Sequence, residues 1–305
     1  MSDLVRALKG ALDYTRLYRD QTFVVKLGGE VLGSPDALDS LAVSIALLES
    51  LSIRVVLVHG GGPQASELSR QLGLTPEVVA GRRVTTPAVL EVAKMVFAGR
   101  LNVDLLAVLR RHGVRGVGLS GVDAELVTAR KRPPVQVRDD DGSEKLVDFG
   151  EVGDIEKVDA AVLQVLLAAG YVPVVASLAA DASGRPLNVN ADTLAEALAS
   201  ALQAKKLIFV TSAPGVLRDP ADESSLLAFA VPDDLAPFLE TGAIGGGMRP
   251  KVEACIRAVR NGVRRTHIID GRVPDSLLLE LFTGHGCGSM VVARKELDDY
   301  TEHEL

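Results

Sequence analysis

Thr22-Phe23-Val24-Val25-Lys26-Leu27-Gly28-Gly29 is an apolar run that carries one lysine and breaks into a glycine pair. An apolar run of this length, bounded by a turn signal, reads as a strand buried on both faces. A second run, Ile53 to Val58, leads through His59 into Gly60-Gly61-Gly62-Pro63. Between the two, Ala37 to Leu51 has helical spacing. Gln64 to Leu72 is helical again, with Pro63 suited to a first helical turn. Strands alternating with helices imply an α/β fold, a mainly parallel sheet with helices over both faces.

The same alternation runs outward from this core. Strands are expected at Gly116–Leu119, Tyr171–Ala176, Leu207–Val210, Arg264–Ile269 and Ser289–Val292. Helices are expected at Pro87–His112, interrupted near Gly99, and at Asp159–Ala169, Asn190–Leu202, Lys251–Asn261 and Pro274–Phe282. Asp219 to Gly245 reads as loop and helix. From Leu126 to Val158 the pattern changes to short β-prone pieces cut by Pro133-Pro134, Asp139-Asp140-Asp141-Gly142, Gly150 and Gly153, which predicts antiparallel hairpins on one edge, as a flap. Met1 to Tyr18 is an amphipathic helix ahead of the first strand, suited to capping the domain or packing on another subunit. The expected organisation is an N-terminal helix over residues 1–20, a lobe over 21–180 for an acidic substrate, and a nucleotide lobe over 181–305. The cleft is expected at the carboxyl ends of the strands.

Composition narrows the function. The chain has 305 residues, 33 Lys plus Arg against 40 Asp plus Glu, and a formal charge of −7. That balance gives no general attraction to nucleic acid or anionic membranes. With no Trp and 4% aromatic residues, base-stacking platforms are scarce. Cys255 and Cys287 fit no zinc or redox spacing, and the five histidines do not cluster, so no metal site of the protein's own is expected. The first residues lack the continuous apolar core of a signal peptide, and no apolar run is long enough to span a bilayer; a cytoplasmic protein is expected.

Three glycine-rich turns carry the chemistry: Gly28-Gly29, Gly60-Gly61-Gly62, and Gly245-Gly246-Gly247 ahead of the helix with Lys251. Glycines let backbone amides approach an oxyanion, and a helix N-terminus adds positive potential. None of the three matches a P-loop or G-x-G-x-x-G pattern. Lys26 ends a strand that should be buried, where a lysine is costly without an anionic partner. A lysine from each lobe would supply the positive charge that phosphoryl transfer needs. Asp192, in the first turn of a helix that Asn190 is placed to cap, is read as orienting the two lysines. An arginine of Gly81-Arg82-Arg83 is suited to gripping a carboxylate through two parallel hydrogen bonds.

These motifs, with V-D-F-G-E-V-G-D-I over 147–155, L-N-V-N-A-D over 187–192, G-G-G-M-R-P-K over 245–251 and H-I-I-D-G-R-V-P over 267–274, resemble the amino acid kinase family from about Thr22 to Val292. Within it they are most similar to the kinases of N-acetylglutamate. The resemblance implies a three-layer αβα sandwich and transfer of the ATP γ-phosphate, with Mg2+ arriving on the nucleotide, to the side-chain carboxylate of N-acetyl-L-glutamate in arginine biosynthesis. It implies Lys26 and Lys251 on the moving phosphoryl group and Asp192 organising them. Gly61, Gly62, Arg83 and Asn188 would serve the acceptor, and Gly28, Gly29, Thr211, Gly215, Gly247 and Met248 the nucleotide, with Gly28, Gly29, Gly61 and Gly62 offering amides to phosphate.

The N-terminal helix resembles that of arginine-inhibited members, which implies a hexamer of three dimers and an arginine site near Tyr14, Gly286 and Gly288. Four positions depart from the family pattern: Ser212 stands where an aspartate is usual, Val122 where a lysine is usual, Glu30-Val31-Leu32 replaces an Asn-Ala-type segment, and Arg249 replaces an apolar residue. Two other readings are a kinase of glutamate, aminoadipate or a carrier-bound amino acid, and a non-catalytic arginine sensor.

Overall fold

A computed structural model describes residues 12, 14–75, 77–79, 82–138, 144–283 and 286–296, with the backbone alone of Arg82, Arg83, Arg138 and Glu144. Eight strands form the main sheet: β1 (Thr22–Leu27), β2 (Arg54–His59), β3 (Gly116–Ser120), β4 (Val172–Ala176), β5 (Lys206–Thr211), β6 (Phe229–Ala230), β7 (Arg265–Asp270) and β8 (Ser289–Val292). Their order is β6-β8-β7-β5-β1-β2-β4-β3. Neighbours are parallel except β7 and β8, which pair antiparallel. The chain leaves β1 toward β2 on one side and returns on its other side as β5. The carboxyl end of β1 is thus the point where the strand order reverses, which is where open α/β sheets place a ligand crevice.

The helices are α1 (Gly29–Leu32), α2 (Pro35–Ser50), α3 (Gly62–Gln71), α4 (Pro87–Lys94), α5 (Asn102–Arg111), α6 (Ala161–Ala168), α7 (Ala191–Ala201), α8 (Pro232–Glu240), α9 (Met248–Arg260) and α10 (Ser276–Phe282). Strand side chains alternate between faces. Phe23, Val25 and Leu27 of β1 join one apolar core with Leu38, Leu41 and Ile45 of α2, Leu105 and Leu109 of α5, and Leu277 and Leu281 of α10. Val24 joins the opposite core with Leu194 and Leu198 of α7 and Val252 and Cys255 of α9. The chain therefore has the three-layer αβα architecture. No helix among the described residues is long and apolar enough to cross a membrane.

Several details differ from the sequence reading. The interruption near Gly99 is not a break: Met95–Leu101 is a π-helical stretch that joins α4 to α5. The flap strands do not extend the main sheet. Val127–Lys131 and Gly153–Val158 pair antiparallel and join Leu178–Ala180 and Pro186–Asn188 in a separate four-stranded sheet, while Val135–Arg138 and Glu144–Val147 form a hairpin. The strands at 178–180, 186–188, 229–230, and the pair Val78–Val79 with Arg82–Arg83, are too short to carry a period of two and were not legible in the sequence. Of the N-terminal helix, residues 12 and 14–18 are described, and its earlier part lies outside the described residues, as does the tail from 297. Its end packs on the sheet: the Tyr18 ring is buried, edge-on to Phe23 at 5.2 Å and to Phe282 at 6.1 Å.

Two histidines are sealed within this sheet, His59 on β2 and His267 on β7. Burial pushes each imidazole from the usual 6.5 down to about 4, and for His267 the Lys206 charge adds to burial. Between those pH values the unfolded chain binds a proton that the folded chain refuses, so stability falls as pH drops through that window. Urea denaturation should show a loss of roughly 2 kcal/mol per histidine between pH 7 and pH 5, and His267→Gln should remove about half of it. A flat profile over that range would contradict the buried neutral assignment.

Candidate functional site

Lys26 shares a face of β1 with Val24, the face covered by α7 and α9. Asp192 is in the first turn of α7, and Lys251 in the first turn of α9. The three meet at the carboxyl edge of the sheet. Lys26 Nζ is 2.7 Å from Asp192 Oδ1, and Lys251 Nζ is 3.4 Å from Asp192 Oδ2 and donates to Gly247 O at 3.0 Å. The side chains are 9%, 7% and 12% exposed for Lys26, Asp192 and Lys251, so solvent screens them little. The contact to Oδ1 is a close, buried ion pair.

Burial raises the Asp192 carboxyl, but the Lys26 and Lys251 charges outweigh it and hold the group below the usual carboxylate range. Burial pulls the Lys26 ammonium down, with Asp192 working against that and Lys251 adding to it. With both lysines protonated, two positive charges stand over one negative charge. The cluster carries a net positive charge at low exposure, which an anion would complete. Asn190 caps α7, accepting from the amides of Asp192 at 2.9 Å and Thr193 at 3.0 Å, and so sets where Asp192 begins.

Two cavities meet at Lys26. One of about 260 Å³ is walled by Gly29, Gly60, Gly61 and Gly62, by Phe97, and by Asn188 to Asp192. The other, of about 780 Å³, is lined by Gly28, Gly29, Glu30, Gly62, Thr211, Ser212, Gly247, Met248 and Lys251. Lys26, Gly29 and Gly62 line both. The glycine turns approach each other closely: a Cβ on Gly29 would lie 2.7 Å from Pro63 Cδ, and Gln64 Nε2 donates to Gly29 O at 2.6 Å. Gly29 is the first residue of α1, where an amide has no intrahelical acceptor.

Two glycine expectations need correction. The Gly28 amide donates to Val210 O at 2.8 Å and belongs to the sheet, so it is not available to a phosphate. Gly28 instead supplies room, since a Cβ there would lie 3.1 Å from that same carbonyl. Gly215 does not line the larger cavity; it packs against Ser289, where a Cβ would lie 2.5 Å from Oγ, and the neighbouring Val216 amide donates to that hydroxyl at 2.8 Å. The side chain of Arg83 lies outside the described residues; its backbone pairs with Val78. Asn188 lines the smaller cavity, and its Nδ2 donates to Thr85 Oγ1 at 3.1 Å. Among the departures, Ser212 and Glu30 line the larger cavity, whereas Val122 is exposed beside a turn closed by Asp123, which accepts from Ser120 Oγ at 2.7 Å. Arg249 turns outward to Glu253 at 2.9 Å.

A separate small cavity brings Tyr14, Gly286 and Gly288 together with Lys206, His267 and Glu280. Glu280 accepts from His267 Nδ1 at 2.6 Å and from the amides of Cys287 at 2.8 Å and Gly288 at 3.0 Å. Lys206 Nζ lies 3.0 Å from His267 Nε2, and burial pushes its ammonium down to about 7. Sequence reading missed Lys206, His267 and Glu280. A lysine and a histidine inside apolar strands were the available signal, of the same kind that singled out Lys26.

A sequence model described as the amino acid kinase family matches residues 21–270. Acetylglutamate kinase of Myxococcus xanthus (strain DK1622) is 51% identical over 291 residues, which cover 95% of this chain and 94% of that protein. Two crystal structures of N-acetylglutamate synthase from Neisseria gonorrhoeae superpose with TM-scores of 0.80 and 0.79 at 29% and 27% identity. The first holds coenzyme A and N-acetyl-glutamate, the second coenzyme A and L-arginine. They match 95% and 94% of this chain, which spans 63% and 65% of the length of the synthase chains.

Removing Asp192 alone strands two lysine charges beside each other. Asp192→Ala should lower the unfolding free energy by roughly 3–5 kcal/mol, while the paired change Lys26→Met with Asp192→Leu should cost far less. Equal losses in the two proteins, measured by urea denaturation at pH 7, would mean that the carboxylate is not balancing the lysines.

Proposed function

The chain belongs to the amino acid kinase family, and from that premise we propose that it transfers the γ-phosphate of ATP to the side-chain carboxylate of N-acetyl-L-glutamate, in arginine biosynthesis. The observation that carries this reading is the meeting of a small cavity and a larger one at Lys26. The small one suits an amino-acid-sized acceptor and the larger one a nucleotide. The acceptor needs no general base, because a carboxylate is already ionised at neutral pH. Its oxygen forms a bond to the γ-phosphorus as the bond from that phosphorus to the bridging oxygen breaks, and ADP leaves with the electron pair.

In this reading Lys26 and Lys251 balance charge on the moving phosphoryl group, and Asp192 holds both ammonium groups in place between reactions. Gly29, Gly61 and Gly62 bring backbone close to the transferring oxygens. Asn188 and Arg83 serve the acceptor, while Thr211, Gly247 and Met248 serve the nucleotide. Magnesium would arrive with the nucleotide and supply positive charge to the phosphates, and Glu30, the carboxylate lining that cavity among the described residues, would be placed to help hold it. Ser212 stands where relatives of the family usually place an aspartate, so the nucleotide's contacts there are those of a hydroxyl.

The second cavity supports feedback control. Tyr14, Gly286 and Gly288, which the family resemblance assigns to arginine, line it together with Glu280, Lys206 and Arg265, and the superposing synthase was solved with L-arginine. The N-terminal helix is proposed to join dimers into a hexamer, in the cytoplasm.

Acyl-phosphate trapped as hydroxamate is the direct assay. N-acetyl-L-glutamate should turn over with ATP, and glutamate and N-acetylated aminoadipate should not. Lys26→Ala and Lys251→Ala should each lower kcat by at least about a hundredfold. Arginine should inhibit the native protein, and Glu280→Gln should relieve inhibition while preserving turnover. Protein that binds arginine yet turns over none of the three acceptors would establish the sensor reading instead.

A further inference from the structure

His59 is fully buried at the end of β2, directly before the glycine turn, and has no role in the chemistry above. Its ring is held at both nitrogens. Nε2 lies 3.1 Å from Asn102 Nδ2, and Nδ1 lies 2.9 Å from Gly60 O. The amide nitrogen of Asn102 can only donate, so Nε2 is the bare acceptor and Nδ1 carries the proton. Nδ1–H then donates to the Gly60 carbonyl. The second Asn102 proton goes to Val174 O at 3.0 Å, which ties the asparagine to β4.

Asn102 is itself carefully placed. It is the first residue of α5, directly after the π-helical stretch, and a π turn rotates every later residue relative to the preceding helix. The strand beside it leaves space: a Cβ on Gly118 would lie 3.1 Å from Asn102 Cγ. Phe97 of the same stretch packs under the turn, where a Cβ on Gly61 would lie 2.9 Å from its ring.

The consequence for the turn follows from peptide geometry. The carbonyl of Gly60 and the amide of Gly61 belong to one planar trans unit and point in opposite directions. A carbonyl drawn down onto the buried imidazole turns the Gly61 N–H the other way, and Gly61 lines the acceptor cavity. No internal acceptor for the Gly61 amide is found among the described residues. We propose that His59, locked by Asn102 in its Nδ1–H tautomer, is a positioning residue that aims the Gly61 amide at the reacting oxygens. Neutral imidazole is required for this, since a second ring proton would oppose the Asn102 donor. The proposal rests on the kinase reading above for what the amide meets, though not for the orientation of the turn.

Ring nitrogen NMR of 15N-histidine protein at pH 7.5 tests the orientation without any variant. His59 should show the Nδ1–H tautomer with unprotonated Nε2, and an Nε2–H or doubly protonated ring overturns the proposal. Kinetics test the consequence. His59→Leu should lower kcat for N-acetyl-L-glutamate about 30-fold with the KM for ATP within about twofold of native, and His59→Asn, which keeps an N–H near the Nδ1 position, should recover kcat to within about threefold of native. Native kcat in both variants, or equal impairment of both, overturns it, because packing alone would not separate them. If His59→Leu fails to fold, the native tautomer and the His59→Asn rate still decide. Native protein that turns over no acceptor overturns the kinase reading instead, and the tautomer then still settles how Gly60 is held.

Discussion

One carboxylate under two lysines organises this protein. Asp192, Lys26 and Lys251 come from three separate elements and lie together with little exposure. Such a cluster is stable only if the charges nearly balance and the groups are held close. That demand falls on the fold. β1 must present Lys26 to the face covered by α7 and α9, and both helices must begin level with its carboxyl end. A positive excess remains at that edge.

Beside this charge cluster the turns after β1 and β2 are packed tightly enough that side chains at Gly29 and Gly61 would not fit. The turns after β1 and β2 touch through Gly29 and Pro63, and the second rests on Phe97 and Leu101. The π-helical stretch belongs to the same construction, since it delivers Phe97 and Leu101 beneath the turn and Asn102 beside His59. Glycine here serves close approach more than conformational freedom. Gly28 makes the point, because its amide is spent on Val210 while its missing Cβ is what allows the strands to sit so near each other.

The second cavity lies at the other end of the same strands. Lys206 begins β5 and Thr211 ends it, so one strand runs from the Glu280 cavity to the larger cavity at Lys26, a span of roughly 17 Å. The Tyr18 ring, packed on Phe23 of β1 and Phe282 of α10, ties the N-terminal helix to the same layer.

The sequence by itself determined the main strands, the helices between them, the glycine turns and the importance of Lys26. These are local signals: apolar runs, turn residues, a cap, and a lysine where burial makes it costly. Two-residue strands and the π stretch were illegible because they carry no period of their own. The tertiary structure alone decided which strands are neighbours, and with that the sharing of Lys26 between two cavities. It also decided that Gly28 and Gly215 serve packing, and that His59 meets Asn102 while His267 meets Lys206 and Glu280. Hydrogen-bond partners distant in the chain are set by register and layer packing, and no window of sequence contains both ends of such a bond.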